Sequence, residues 1–495
     1  MQVIKAAALA ALMGSVSAKD DSTFAVLRFT NKQLTKGRMD PIISPGETST
    51  HVHTVMGGSG FGKGSTGEDL ANSQCSNALI KGDNSNYWFP SLYFYDEGAN
   101  EFEAVEIFYV NAYYFFEPTD DELKAFPQGM SMVSGDPMTR SPPEGGPNSN
   151  LNPDNGPING IKWTCPRDGN NYEPPSWPAD SDGSSAGIGD TVNKGEGVGF
   201  PDVDCDGYAS PLRADIHFPS CYNPDAGLMS YKDNMAWPST KDGKLNCPEG
   251  YVHVPHLFLE VYWNTPVFAD RWTPNTGKQP FVLSNGDATG FSSHADFMAG
   301  WDEDLLQHII DTCDAGTAGM DNCAGLFYGV NDEDCTIPSE IDEDVDGTLS
   351  KLPGNNPVTG WRFGGEVPDM PEPSSPASSP TPSGGLLDGL SDVADDVATN
   401  VVENPAAPTS TKSEEKAPVP KPTEVSEEAS LPDQPDQPEE PSQPEQNEQP
   451  NNRVHTVWET ITVTEEIQAQ PTDSKSRRHL HGHGHAHGHV RRRSH

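Results

Sequence analysis

Apolar residues form short runs before residue 365 of this chain and become sparse after it. The runs are rich in β-branched and aromatic residues and are separated by stretches of Gly, Pro, Asn and Asp, a pattern that predicts β-strands. The clearest runs are residues 24–29, 93–95, 104–116, 214–218, 256–263 and 281–283. Residues 304–312 repeat apolar side chains at helical spacing. We therefore expect a mainly β fold, a disulfide-stabilised sandwich or distorted barrel with long irregular loops and few short helices.

The N-terminus has the pattern of a signal peptide. Lys5 is followed by a short apolar run, residues 6–13, and then by the small residues 16–18. Because crossing a bilayer takes about 20 apolar residues, this run is too short for a membrane anchor. The pattern predicts a signal peptide over residues 1–18 that is removed on secretion.

The composition changes where the apolar runs end. From Pro368 onwards the chain is rich in Pro, Ser, Thr, Glu and Gln. Such a sequence cannot bury enough apolar area to offset the entropy that is lost on ordering. We therefore expect a globular domain over residues 19–365, a disordered stalk over residues 366–476, and a His- and Arg-rich tail over residues 477–495.

Charge and cysteine content indicate the compartment and the partners. The formal net charge is −43, which argues against a nucleic-acid partner because phosphate binding needs a basic surface. The eight cysteines lie at positions 75, 165, 205, 221, 247, 313, 323 and 335. An even number in an oxidising compartment predicts up to four disulfides. Cys313 and Cys323 are a candidate local pair, and the other pairings stay open. We expect a monomer without a transmembrane anchor, located outside the cell or in the cell wall.

Two short histidine motifs are the main candidates for chemistry. His51 and His53 are two residues apart, as are His294 and Asp296. In an extended segment, side chains two apart point to the same face. Three imidazoles and a carboxylate suit a divalent metal such as zinc or copper, and without a metal they suit general acid/base catalysis. The alternative is that they are ordinary structural histidines and that the aspartate accepts hydrogen bonds in a turn.

Four further residues are candidates for binding a substrate. Arg38 and Asp40 precede the first histidine motif, and Asp287 precedes the second. Trp88 lies in an aromatic run, residues 86–90, and an exposed indole can stack on the face of a sugar. The alternative for Trp88 is packing in the core, and for Asp287 a role as a turn acceptor.

The C-terminal tail carries a separate metal-binding pattern. Its six alternating histidines are His479, His481, His483, His485, His487 and His489. Alternating imidazoles chelate zinc, copper or nickel in varied geometries. The tail also contains arginines, so the alternative is a basic segment that adheres to the cell wall.

The chain resembles a fungal secreted family with a domain of unknown function, numbered nineteen ninety-six. The resemblance is carried by Arg38-Met39-Asp40-Pro41, Ser44-Pro45-Gly46, His51-Val52-His53, Ser73-Gln74-Cys75, Tyr87-Trp88, Phe218-Pro219-Ser220-Cys221, Ser284-Asn285-Gly286-Asp287, and His294 with Asp296-Phe297. The chain lacks the second cysteine that the family usually has soon after Cys75, and it lacks a histidine pair near residues 231–238. Some family members look coupled to small wall-sugar-binding modules, which implies a cell-wall setting.

These observations leave two functions open. The first is a protein that acts at the cell wall or on extracellular polysaccharide through the His/Asp motifs. The second is a non-catalytic, wall-associated protein that binds glycan or metal. A cleft in which the three histidines share a common point favours the first.

Overall fold

A computed structural model of the chain describes residues 22–30, 32–207 and 210–361. The predicted signal peptide (1–18), the stalk (366–476) and the tail (477–495) with its six histidines lie outside the described residues. Within the described ranges, the strands are β1 (Thr23–Arg28), β2 (Thr35–Gly37), β3 (His53–Gly57), β4 (Asn86–Pro90), β5 (Leu92–Asp96), β6 (Glu101–Ala104), β7 (Ile107–Phe116), β8 (Ser131–Ser134), β9 (Ile161–Thr164), β10 (Ile188–Gly189), β11 (Glu196–Val198), β12 (Arg213–His217), β13 (Cys221–Tyr222), β14 (Met235–Ala236), β15 (Ser239–Lys241), β16 (Lys244–Asn246), β17 (Val252–His253), β18 (His256–Trp263), β19 (Phe281–Leu283), β20 (Ala295–Met298) and β21 (Thr348–Leu349). The α-helices there are α1 (Gly67–Ala71) and α2 (Glu303–Thr312).

The predicted mainly β fold is confirmed. Strands β1, β5, β7, β12, β18 and β19 form in the six apolar runs, and α2 forms where the helical spacing predicts it. Helix α2 buries Leu305, Leu306, Ile309 and Ile310 on one side, and Asp302 caps its first turn by accepting a hydrogen bond from the Leu305 amide.

Two antiparallel sheets organise the domain. The seven-stranded sheet has the order β1-β7-β18-β12-β9-β11-β10, and the five-stranded sheet has the order β2-β3-β4-β20-β8. One hydrophobic core contains Leu27 and Leu259 from the seven-stranded sheet and Tyr87 and Phe297 from the five-stranded sheet. A core that takes side chains from two sheets is the sandwich arrangement.

The five-stranded sheet is covered on its other face as well, which we call the second face. Because side chains alternate along a strand, Val55, Trp88 and Met298 point away from the main core and into a smaller one. Loop residues, among them Leu34 and Met39, complete this smaller core. Polar residues that lie on the second face are therefore buried.

Four disulfides connect the loops: Cys75–Cys335, Cys165–Cys205, Cys221–Cys247 and Cys313–Cys323. The prediction of up to four disulfides and the local Cys313–Cys323 pair are both confirmed. The Cys75–Cys335 bridge joins residues 260 positions apart, and Cys335 packs in the core of the second face. It thereby fixes a late segment of the chain over that face. No helix in the described part of the chain has the length and apolar character needed to cross a membrane.

Candidate functional site

Three histidines meet on the second face of the five-stranded sheet. His53 begins β3, His51 precedes it by two residues, and His294 lies directly before β20. Strand β4 lies between β3 and β20 and pairs with both of them. The ring centroids are 4.3 Å apart for His51 and His53, 5.1 Å for His51 and His294, and 5.9 Å for His53 and His294. One ring nitrogen from each residue lies within 4.8 Å of the other two.

Hydrogen bonds fix the orientation of two of these rings. The Nδ1 atom of His53 donates to the Met39 carbonyl at 3.0 Å, and that of His294 donates to the Ser292 carbonyl at 2.7 Å. A carbonyl oxygen only accepts, so each Nδ1 carries the proton and each Nε2 keeps its lone pair when the imidazole is neutral. The His53 Nε2 atom is buried and has no hydrogen-bond partner. It therefore points a free lone pair into the cluster.

His51 can adapt its tautomer. Its Nε2 atom lies 3.1 Å from the His294 Nε2 atom, and its Nδ1 atom lies 3.1 Å from the Thr50 hydroxyl oxygen. A hydroxyl can donate or accept a hydrogen bond. Thr50 therefore allows His51 either to donate to His294 or to turn a second lone pair into the cluster.

Burial keeps the three imidazoles neutral. His51, His53 and His294 are 5%, 0% and 2% exposed. Loss of solvation lowers the pKa of His53 and of His294 to about 4, and that of His51 well below its ordinary value. A neutral imidazole is the form that binds a metal ion.

Asp296 lies beside the histidines with a buried carboxyl group. It is directly opposite Trp88 in the β4–β20 pair, and neither carboxyl oxygen has a hydrogen-bond partner. Burial raises its pKa well above the ordinary value, and the nearby Asp40 raises it further. The carboxyl oxygens of Asp296 do not belong to the set of ligand atoms that lie within 4.8 Å of one another. Of the predicted set of three imidazoles and one carboxylate, the three imidazoles converge, and the Asp296 carboxyl group is not among the converging groups.

Asp40 is held by the loop that covers the second face. Its Oδ1 atom accepts hydrogen bonds from the amides of Ile42 and Ile43, at 3.1 and 3.0 Å. Burial raises the pKa of Asp40, although these amides and the charge of His294 oppose the rise. The indole Nε1 of Trp88 has no aligned partner, yet it lies near enough to the Asp40 carboxyl to favour its charged form.

The interpretation of Trp88 as an exposed sugar platform is wrong. Trp88 is 0% exposed, and its ring packs at 5.3 Å from that of Phe61. Strand β4 lies inside a sheet that is covered on both faces, and this explains the aromatic run in which Trp88 lies.

Asp287 and Arg38 organise loops around the cluster. Asp287 is 0% exposed and accepts hydrogen bonds from the amides of Thr289 and Ser292, at 2.8 and 2.9 Å. It therefore shapes the turn that leads to His294. Arg38 forms an ion pair with Glu343 at 2.5 Å and is partly exposed. Neither contact places these side chains on an open binding surface.

Arg140 is a residue of the site that sequence reasoning missed. Its guanidinium donates to the Thr359 hydroxyl at 3.0 Å and to the carbonyls of Pro137, Thr139 and Asn285 at 2.8, 2.8 and 3.2 Å. Its positive charge lowers the pKa of His51, after the larger effects of burial and of the neighbouring His53 and His294. Arg140 stands in a Pro- and Gly-rich stretch without any motif, so no signal in the sequence marks it.

An open cleft of about 580 Å³ lies beside the cluster. Gly135, Asp136 and Ser293 line the side of the cleft next to His294. The Gly135 backbone touches that histidine, because a Cβ atom at this position would come within 2.7 Å of the His294 Cβ atom. The negative charge of Asp136 also acts on His294, whose pKa it raises against the larger effect of burial. The cleft and the cluster therefore share a wall.

Comparison with known proteins gives one match. The family model described as a domain of unknown function, DUF1996, matches residues 40–301, a span that contains all three histidines and Asp296. No curated protein and no solved structure matches the chain.

Proposed function

The chain belongs to the family of the domain of unknown function DUF1996, and we propose that it is a secreted protein whose domain holds one divalent transition-metal ion, zinc or copper, on His51, His53 and His294. We further propose that it acts on extracellular polysaccharide at the adjoining cleft. The supporting observation is the convergence of three buried ring nitrogens within 4.8 Å of one another.

The donor set suits this ion. Three neutral imidazoles are the ligands of many zinc and copper centres, and each benefits from a partner on its second nitrogen that fixes the ring. Here those partners are the Met39 and Ser292 carbonyls and the Thr50 hydroxyl. An ion would also satisfy the His53 Nε2 atom, which otherwise stays buried without a partner.

The chain's own residues would orient the ion and a substrate. A bound ion of this kind supplies a Lewis acid or an activated water. Asp296 lies next to the cluster with two unpaired oxygens, and Arg140 adds a fixed positive charge near His51. Asp136 lines the cleft on the side of His294. Secretion to the cell exterior or the wall fits the four disulfides of the domain.

A second candidate function is a non-catalytic, wall-associated protein that binds metal or glycan. The observation in its favour is the burial of the cluster, since none of the three histidines is more than 5% exposed. Structural metal sites are closed, whereas catalytic sites keep one position open to substrate. Activity on polysaccharide would require the loop at residues 38–46 or the wall at Gly135 to admit the reacting group.

The metal content of the full chain tests the proposal. The six tail histidines are predicted to chelate metal themselves, so they are first changed to glutamine to give a background chain. After exposure to zinc or copper and dialysis, we expect one ion per background chain and none in the same chain with His53→Ala. The control is His308→Ala. This histidine lies on α2, does not belong to the cluster, and donates a hydrogen bond to the Ala324 carbonyl at 3.0 Å.

An unchanged metal content in the His53→Ala chain would contradict the metal site. Incubation of the metal-loaded chain with a panel of wall polysaccharides, followed by analysis of the products, separates the two functions. New products that disappear with His53→Ala support the first, and metal binding without any product supports the second.

A further inference from the structure

The cleft beside the histidine cluster is lined by side chains of the kinds that bind sugars. They do not include Trp88, which sequence analysis indicated as the candidate for stacking on a sugar. Tyr231, Trp237 and Phe291 are half-buried and line it. Each keeps part of an aromatic ring accessible to a ligand. Trp237 packs against Gly160, where an added Cβ atom would lie 3.1 Å from the indole.

Aromatic faces with polar groups around them suit a saccharide. The C–H faces of sugar rings pack on aromatic rings, and polar side chains and backbone groups bind the hydroxyls. The polar residues of the cleft include Thr139, Ser141 and Asn159. The volume of about 580 Å³ lies within the usual range of small-ligand sites, roughly 300–1,000 Å³. A short stretch of a polysaccharide therefore fits.

Charge selects the kind of sugar. The charged residues among those that line the cleft are Asp136, Glu144 and Lys232. Both carboxylates are exposed, whereas the Lys232 ammonium is held 5.7 Å above the Tyr231 ring. The described part of the chain also carries more acidic than basic residues, which disfavours anionic ligands. Uronic acids and sulfated sugars are disfavoured, and a sugar that carries an ammonium group is favoured.

We propose that this cleft binds an amino-sugar polymer with free amino groups, that is, a chain of glucosamine units, with Trp237 and Tyr231 packing on the sugar rings and Asp136 and Glu144 pairing with the ammonium groups. This inference rests on the proposed function only in naming the class of polysaccharide. It does not require a bound metal ion.

Calorimetric titration of the full chain tests the proposal. The ligands are hexamers of glucosamine, of N-acetylglucosamine and of galacturonic acid. We expect the tightest binding for the glucosamine hexamer, weaker binding for the acetylated hexamer, and none for the uronic acid. Trp237→Ala should weaken binding of the glucosamine hexamer about tenfold, whereas Phe327→Ala, an exposed aromatic residue outside the cleft, should leave it unchanged.

A second set of variants tests the role of the two carboxylates in the cleft. Asp136→Asn with Glu144→Gln should weaken binding of the glucosamine hexamer about fivefold or more and leave the acetylated hexamer unaffected. Glu47→Gln, at an exposed carboxylate that does not line the cleft, is the control. Equal affinity for the glucosamine and acetylated hexamers, or unchanged affinity in Trp237→Ala, would overturn the proposal.

Failure of the metal site and failure of this inference are distinguishable. The parent chain, freed of its metal ion by a chelator, should still bind the glucosamine hexamer with unchanged affinity. If the metal is present but no hexamer binds, the sugar inference is wrong and the metal site stands.

Discussion

The backbone of Gly135 packs directly against His294. The residue has φ of +95°, and a Cβ atom there would lie 2.7 Å from the His294 Cβ atom and 2.6 Å from the Ser293 carbonyl oxygen. A side chain at this position would therefore displace the third histidine of the cluster.

We expect Gly135→Ala to weaken metal binding about tenfold or more, because the added methyl group would displace the ring of His294. Competition with a chelator measures this affinity. The matched control is Gly146→Ala. Gly146 also has a positive φ, +81°, but a Cβ atom there has no neighbour within 4 Å. Gly146→Ala therefore introduces the same kind of backbone strain as Gly135→Ala but no contact with a histidine. Equal metal affinity in the two variants would show that the contact with His294 has no role.

The Thr50 hydroxyl should increase metal affinity because its hydrogen bond orients the ring of His51. It lies 3.1 Å from the Nδ1 atom of that ring. Thr50→Val keeps the shape of the side chain and removes the hydrogen bond, so we expect affinity for zinc to fall about tenfold or more. Thr317→Val, at an exposed position far along the chain, is the control. The same zinc affinity in both variants would remove Thr50 from the site.

A buried carboxyl group away from the cluster should make folding depend on pH. Asp83 accepts from the Ser85 amide at 2.9 Å and from the Tyr87 hydroxyl at 2.7 Å, and burial raises its pKa from 3.8 to about 6. The folded protein thus keeps a proton that the unfolded chain releases. The stabilising effect of that proton is complete below pH 3.8 and is lost as the pH rises to about 6, at a cost of up to about 3 kcal/mol.

Urea unfolding at several pH values between 4 and 6.5 tests this effect. Asp83→Asn keeps this site neutral at every pH, so the unfolding free energy of the parent relative to that of the variant should decrease as the pH rises through this range. A difference that does not change with pH would contradict the raised pKa. The comparison with the variant is needed because other buried groups titrate in the same range: burial raises the pKa of Asp215 to about 6 and lowers the pKa values of His53 and His294 to about 4, with opposite effects on stability.

The disulfides that close the longest and the shortest loop should differ in their contribution to stability. Cys75–Cys335 closes a loop of 260 residues and Cys313–Cys323 one of 10. The loop-entropy relation gives roughly 5–6 kcal/mol for the first and roughly 3 kcal/mol for the second. We expect the double serine variant of the first pair to unfold at lower urea than that of the second. It should also lose metal affinity, because the bridge holds a covering segment over the second face.

Local patterns in the sequence predicted the parts of the site that depend on local geometry. His51 and His53 share a face because side chains in an extended segment alternate with a period of two. Their meeting with His294 depends on strand β4, which pairs with both β3 and β20. No pattern in a single sequence specifies that pairing.

Burial on the second face could not be predicted from local pattern. The cover comes from segments near residues 39 and 335, which pack in the same smaller core, and the Cys75–Cys335 bridge ties the second of these segments to residue 75. An aromatic run such as that around Trp88 looks the same whether its strand is exposed or covered on both faces, and for this reason the interpretation of Trp88 failed. Arg140 was missed because its place near His51 depends on partners distant in sequence, Asn285 and Thr359, in addition to the local carbonyls of Pro137 and Thr139.

The most direct measurement is X-ray absorption spectroscopy of the zinc-loaded or copper-loaded full chain in which the six tail histidines are changed to glutamine. We expect one ion per chain, coordinated by three imidazole nitrogens at roughly 2.0–2.1 Å, and we expect that signal to be lost in the His53→Ala variant. A spectrum without imidazole scattering, or one that is unchanged by His53→Ala, would contradict the assignment of His51, His53 and His294 as a metal centre.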